Sequence, residues 1–140
     1  MNHPFKTLNQ TYQMSIKPLT EAYEKSLEQE QQKFLKGVAE FFGAKSISFE
    51  GGENYNDEEY YDDLMDFYVD GESVQSNFKL GSQVYEKLFG EKSPWKEDGK
   101  YGEEVWEQWR EIKEELMNQM PEFIKTKTCS YETNWNQRRP

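Results

Sequence analysis

Ten carboxylates lie between Lys45 and Lys79 with no lysine or arginine among them: Glu50, Glu53, Asp57, Glu58, Glu59, Asp62, Asp63, Asp66, Asp70 and Glu72. Uncompensated like charges repel one another and destabilise a compact state. A fold that includes this stretch must therefore spread it over a solvated loop or a surface aimed at something. The whole chain carries 27 acids and 17 bases, and setting these ten aside leaves 17 against 17. The formal charge of −10 is thus local to about one quarter of the sequence, an asymmetry of the kind that marks an interaction surface.

The remaining composition is that of one small domain spanning residues 1–140. A mean hydropathy of −1.11 is low, but four Trp, nine Tyr and nine Phe supply the large buried areas that disordered chains lack. Cys129 is the only cysteine, so no internal disulfide and no cysteine metal cluster can form. A lone thiol fits a reducing, cytoplasmic setting. The first residues, "MNHPFKTLNQTYQ", lack the basic-then-apolar order of a signal peptide. No apolar run approaches the roughly 20 residues that span a bilayer. An acidic chain is repelled by anionic lipid and by nucleic acid, so its expected partner is a basic protein and neither a membrane nor DNA itself.

Periodicity organises the chain. Apolar residues at 19, 23, 27, 34, 35, 38, 41 and 42 predict a helix over residues 18–42, opened by Pro18 and stopped by Gly43. Phe5, Leu8 and Tyr12 suggest a shorter helix within the arm of residues 1–17. "SISF" alternates, with Ile47 and Phe49 on one face. "LMDFYV" alternates too, with Met65, Phe67 and Val69 on one face and Leu64, Asp66 and Tyr68 on the other. The following Asp70-Gly71 accepts the positive φ of a two-residue hairpin turn. That turn would pair Val69 with Glu72, Phe67 with Val74 and Met65 with Ser76. A short helix is expected over residues 82–89 and an amphipathic one over residues 103–120, ended by Pro121. Residues 123–135 are candidates for an edge strand, and residues 132–140 for a flexible basic tail. The fold class is α+β: an antiparallel sheet of three to four strands packed against a long N-terminal helix and a C-terminal amphipathic helix. The acidic segment, residues 50–72, then covers the loop between the first two strands and the hairpin beyond it.

Much chemistry is excluded. His3 is the only histidine and sits beside the terminus, where a Ser-His-Asp or Cys-His arrangement has little to build on. CxxC, HExxH, GxxxxGK[ST] and GxGxxG patterns are absent, and no cofactor is expected. A calcium loop beginning at Asp66 is broken by Tyr68 at its third position and Asn77 at its twelfth. A metal-dependent nuclease site from Asp66, Glu72 and Lys79 has no spacing that singles it out. Trp106 and Trp109, three apart with Ile112 and Leu116, read as core, and Trp95 as an exposed loop contact. Cys129 reads as an inert, partly buried residue. The chain is expected to be a non-catalytic binding protein.

The acidic segment departs from an ordinary solvated run because it continues into strands and carries Tyr55, Tyr60, Tyr61 and Tyr68 among its acids. Tyrosines among charges are the anchors that interfaces use. The expected partner-binding set is Glu53, Tyr55, Asp57, Glu58, Glu59, Tyr60, Tyr61, Asp62, Asp63, Asp66, Asp70 and Glu72. In size, acidity and lack of a catalytic motif, the chain resembles the DNA-mimic inhibitors of phages and mobile elements, the anti-CRISPR and anti-restriction class. That resemblance implies a cytoplasmic inhibitor in a bacterial host, which occupies a basic nucleic-acid-handling protein in place of its substrate. Two other readings use the same residues: an immunity protein against a nuclease toxin, and a carboxylate-based divalent-metal or nuclease-like domain. A third is an accessory protein that assembles through its aromatic helices.

Overall fold

The computed structural model describes residues 5–16, 24–96 and 103–133, so His3, Pro18, Trp135 and the basic tail lie outside the described residues. In chain order the elements are α1 (Lys6–Ile16), α2 (Glu24–Phe42), β1 (Ser46–Asn56), β2 (Glu59–Val69), β3 (Glu72–Ser73), α3 (Phe78–Phe89), α4 (Glu103–Gln119), α5 (Phe123–Thr126) and β4 (Cys129–Glu132). The four strands form one antiparallel sheet in the order β3-β2-β1-β4. The class is α+β, with α2 and α4 near their expected positions.

Helical spacing buries Phe34, Leu35, Val38 and Ala39 of α2. That helix seats Phe42 5.5 Å from Phe67 of β2, whose ring stacks on Phe49 of β1 at 4.6 Å. Near the middle of α2, the rings of Tyr12, Phe34 and Phe123 close a triangle with centroids 5.2 to 5.9 Å apart. Ile47, Phe49, Phe67 and Val69 thus turn one sheet face toward the helices, as the alternation requires.

Four sequence expectations are corrected. First, the acidic stretch is no loop: β1 and β2 are each eleven residues long and run as one hairpin to a tight turn. Second, the register shifts between Glu50↔Asp66 and Gly51↔Leu64, so Met65 is an inserted residue in β2. That bulge reverses the parity, burying Leu64 completely and leaving Met65 half-buried. Third, the Asp70-Gly71 turn forms as expected, with φ of 51° and 82° and Val69 opposite Glu72, but β3 is only two residues long. Val74 N–H still donates to Phe67 O at 2.8 Å. The chain then leaves the sheet because Asn77 caps α3, its side chain accepting from Leu80 N–H at 3.0 Å. No Met65–Ser76 pairing exists in the ladder, and Phe78 and Leu80 are helical. Fourth, Phe123 and Ile124 belong to a helical turn, and only residues 129–132 of the expected edge strand are strand.

Two adjacent glycines separate packing from flexibility. A Cβ at Gly51 would sit 2.4 Å from Ile124 O and 2.8 Å from Lys125 Cα, so α5 lies directly on the backbone of β1. A Cβ at Gly52 would meet nothing within 4 Å. Gly51→Ala is expected to destabilise the fold by about 1–3 kcal/mol, because backbone must move. Gly52→Ala should be neutral or stabilising by up to about 1 kcal/mol, because it restricts only the unfolded chain. Urea denaturation of the two variants checks the contrast.

Candidate functional site

Beyond Gly51 the β1–β2 hairpin outruns the rest of the sheet. β4 pairs with β1 only as far as Phe49, and β3 pairs only with Tyr68 and Val69. The hairpin closes at Asp57 and Glu58, with φ of 47° and 68°, the two positive values of a type I′ turn. Aspartate tolerates the left-handed region, but Glu58 stands where such turns usually carry glycine and costs roughly 1 kcal/mol or more.

Residues directly opposite share a face. Glu53 lies opposite Asp62 and Tyr55 opposite Tyr60 on the face that continues from Phe49, while Asn54 opposes Tyr61 and Asn56 opposes Glu59 on the other. The Tyr55 and Tyr60 rings pack at 4.9 Å, yet the side chains stay 55% and 71% exposed. Glu53, Asp57, Glu58, Glu59 and Asp62 are exposed. Among the described residues none of the five makes a side-chain hydrogen bond or ion pair. Glu53 opposite Asp62 is a like-charge cross-strand pair, an arrangement that destabilises a sheet.

The other four acids expected at the site are committed elsewhere. Asp63 is buried; its Oδ2 accepts from Lys113 Nζ of α4 at 2.8 Å and from Asn54 Nδ2 at 3.2 Å. Asp66 is buried and organises the exit from the sheet, accepting from Ser73 Oγ at 2.6 Å and from Gln75 N–H at 3.2 Å. Asp70 accepts from the backbone N–H groups of Lys45 and Ser46 at 2.8 and 3.1 Å, tying the second turn to the start of β1. Glu72 accepts from Asn77 Nδ2 at 3.1 Å, at the opposite end of β2 from the tip. Tyr68 is likewise structural: its hydroxyl donates to Glu50 at 3.2 Å, and the charge of Asp66, more than burial, holds its phenol above the usual range. The candidate site therefore narrows to Glu53, Tyr55, Asp57, Glu58, Glu59, Tyr60, Tyr61 and Asp62. Lys113 was invisible to sequence reasoning, because it lies 50 residues from Asp63 on a separate amphipathic helix.

Elsewhere the chemistry is sparse. An open cleft of about 710 Å³ lies between the end of α2, the Asp70-Gly71 turn and α3, with Phe42, Val69, Leu80 and Val84 beside Asp70, Glu72, Glu86 and Lys87. Its lining holds no histidine or cysteine. Among the described residues no group of three or more His, Cys, Asp or Glu side chains is placed to hold a metal ion, and no helix is long and apolar enough to cross a membrane. Two tryptophan expectations are corrected: Trp109 is buried, but Trp106 on the next helical position outward is exposed. Trp95 packs edge-on against Tyr85 at 5.6 Å and is half-buried. Burial pushes the Cys129 thiol up to about 11, with Lys127 opposing.

In comparisons with known proteins, no family model, curated protein or solved structure matches this chain.

The division of the acids is measurable. Asp63→Asn should cost about 2–4 kcal/mol in urea denaturation, because it strands the Lys113 ammonium in a largely buried site. Asp62→Asn, one residue away, should cost nothing and relieve repulsion from Glu53. The raised Cys129 pKa has its own signature. Above about pH 9 the unfolded thiol ionises while the folded one stays protonated, so the folded state binds more protons and stability falls as pH rises from about 9 to 11. Cys129→Ser should flatten that segment of the stability–pH curve.

Proposed function

We propose that this chain is a non-catalytic inhibitor whose hairpin tip occupies the basic, nucleic-acid-binding site of a protein partner, in the manner of anti-CRISPR and anti-restriction proteins. The observation that carries the reading is the Glu53–Asp62 opposition within a patch of five exposed acids that have no cation among the described residues. A sheet shaped for stability alone would place opposite charges across the strands. Charge that merely guards a strand edge against aggregation needs no single sign and no exposed tyrosines.

The charge density fits such a partner. From Glu53 to the turn, four residues at about 3.3 Å each, plus the turn itself, make a ribbon about 15 Å long. Five carboxylates over that length, counted over both strands and both faces, average about one charge per 3 Å of ribbon, a density comparable with the 3.4 Å charge spacing along one nucleic-acid strand. Tyr55, Tyr60 and Tyr61 supply flat aromatic surface on which the partner's arginine planes would stack, as they do on the bases of its substrate. The partner is a nuclease, restriction enzyme or CRISPR effector of a bacterial host, met in the cytoplasm, and the chain itself touches no nucleic acid.

The test is a combined variant with Glu53→Gln, Asp57→Asn, Glu58→Gln, Glu59→Gln and Asp62→Asn, which removes five charges and nearly preserves shape. It should fold at least as stably as the wild type. Against the partner purified by pull-down from host cells, association should slow by about 10–10³-fold, with a much shallower salt dependence. Tyr60→Ala and Tyr61→Ala should instead speed dissociation and leave the salt response alone. Equal affinity of wild type and five-site variant at low salt would reduce the acids to a solubility feature.

A further inference from the structure

The backbone of the hairpin carries information that its charges do not. Asn56 and Glu59 flank a two-residue turn, so they exchange hydrogen bonds with each other, and along β1 the pairing direction then alternates. The base of the strand shows the same phase: Ser46 O accepts from Asp70 on the β2 side at 2.9 Å, while Lys45 O accepts from Thr133, beyond β4, at 2.7 Å. The bulge lies in β2, so the phase of β1 is unbroken. Odd-numbered residues of β1 therefore turn their N–H and C=O away from β2. Ile47 and Phe49 face β4, Gly51 lies under α5, and Glu53 and Tyr55 face an edge with no strand beside it among the described residues; there the Tyr55 N–H donates to Asn54 Oδ1 at 2.8 Å, a local side-chain bond that an added strand would have to replace. The side chains of these same two residues stand on the acidic, tyrosine-bearing face with Asp62 and Tyr60.

Resting on the reading of the hairpin as the partner-binding element, we propose that the partner engages it by strand addition: an extended segment of the partner, rich in lysine or arginine, pairs with β1 along Glu53 and Tyr55 and continues the line of β4. Strand addition supplies affinity through main-chain hydrogen bonds and specificity through alternate side chains. Here the sign of the charge does the selecting. Glu53, Asp57, Glu58 and Asp62 attract a basic strand and repel a second copy of the same hairpin, which an open edge would otherwise invite. The outer edge of β2, at Tyr60 and Asp62, is the poorer choice, because the Lys113 ammonium sits at the neighbouring Asp63 and opposes a basic strand.

The test uses the intact chain and a capped hexapeptide of alternating lysine and valine, beside the same peptide methylated on every backbone nitrogen. Amide hydrogen exchange is followed residue by residue by NMR at low salt. The unmethylated peptide should slow exchange at Glu53 by about tenfold or more at saturation, with a smaller slowing at Tyr55, whose N–H already bonds Asn54 Oδ1, and none at Asn54 and Asn56, already bonded to β2. The methylated peptide should give no slowing. Equal binding of the two peptides without slowing at Glu53 would overturn strand addition, and so would failure of the unmethylated peptide to bind. Neither result bears on the charge dependence of partner binding, which the five-site variant measures separately.

Discussion

Opposite Glu50 and Gly51, β2 carries one residue more than β1, and the site depends on that inserted Met65. Without it, regular alternation from Phe67 would put Met65 and then Asp63 on the face that α5 covers, and would turn Leu64 outward. With it, Leu64 meets the core and Asp63 leaves that face, where Lys113 and Asn54 receive its carboxylate. The same shift aligns Asp62 with Glu53 and Tyr60 with Tyr55. A bulge also raises local twist and re-aims the strand beyond it. One extra residue thus keeps the acidic run compatible with a hydrophobic core and decides which side chains the tip presents together.

Past the bulge the hairpin has little beneath it. A two-stranded ribbon is at best marginally stable alone. This one carries an unfavourable acid pair and a turn built from two non-glycine residues with positive φ. Its support is concentrated at the base, in the close approach of α5 to Gly51 and the Asp63–Lys113 pair, with the Tyr55–Tyr60 contact further out. Under the proposed reading, the benefit of such a construction lies in binding. A preformed ribbon loses less conformational freedom on association than a loop of equal charge, so more of the electrostatic and stacking energy remains as affinity.

What was legible in the sequence was local. The 3.6-residue period of α2 and α4, and the Asp70-Gly71 turn, depend on neighbours a few positions apart, and the structure has both. The Asp57-Glu58 turn leaves no local signal because Glu58 stands where a type I′ hairpin usually carries glycine. The flanking Gly, Asn, Asp and Glu residues are poor strand formers, so the ribbon read as a loop. The bulge lies where α5, more than 70 residues away in the chain, packs onto Gly51, and no local pattern encodes it. For the same reason the sequence showed where the acids were but not which were free. Asp63, Asp66 and Asp70 look like their neighbours until Lys113, Ser73 and the Lys45 backbone are placed beside them. Trp106 and Trp109 share a helical period, and only the tertiary fold separates the exposed ring from the buried one.

The central claim is that the hairpin stands in for nucleic acid, and mutual exclusion tests it most directly. The purified partner would be loaded with a fluorescently labelled oligonucleotide that it binds, and the intact chain titrated in while anisotropy and complex size are recorded. The account predicts complete displacement of the oligonucleotide, with a midpoint that rises in proportion to oligonucleotide concentration and a partner–chain complex free of nucleic acid. A stable ternary complex, with the oligonucleotide retained at saturating chain, would contradict it.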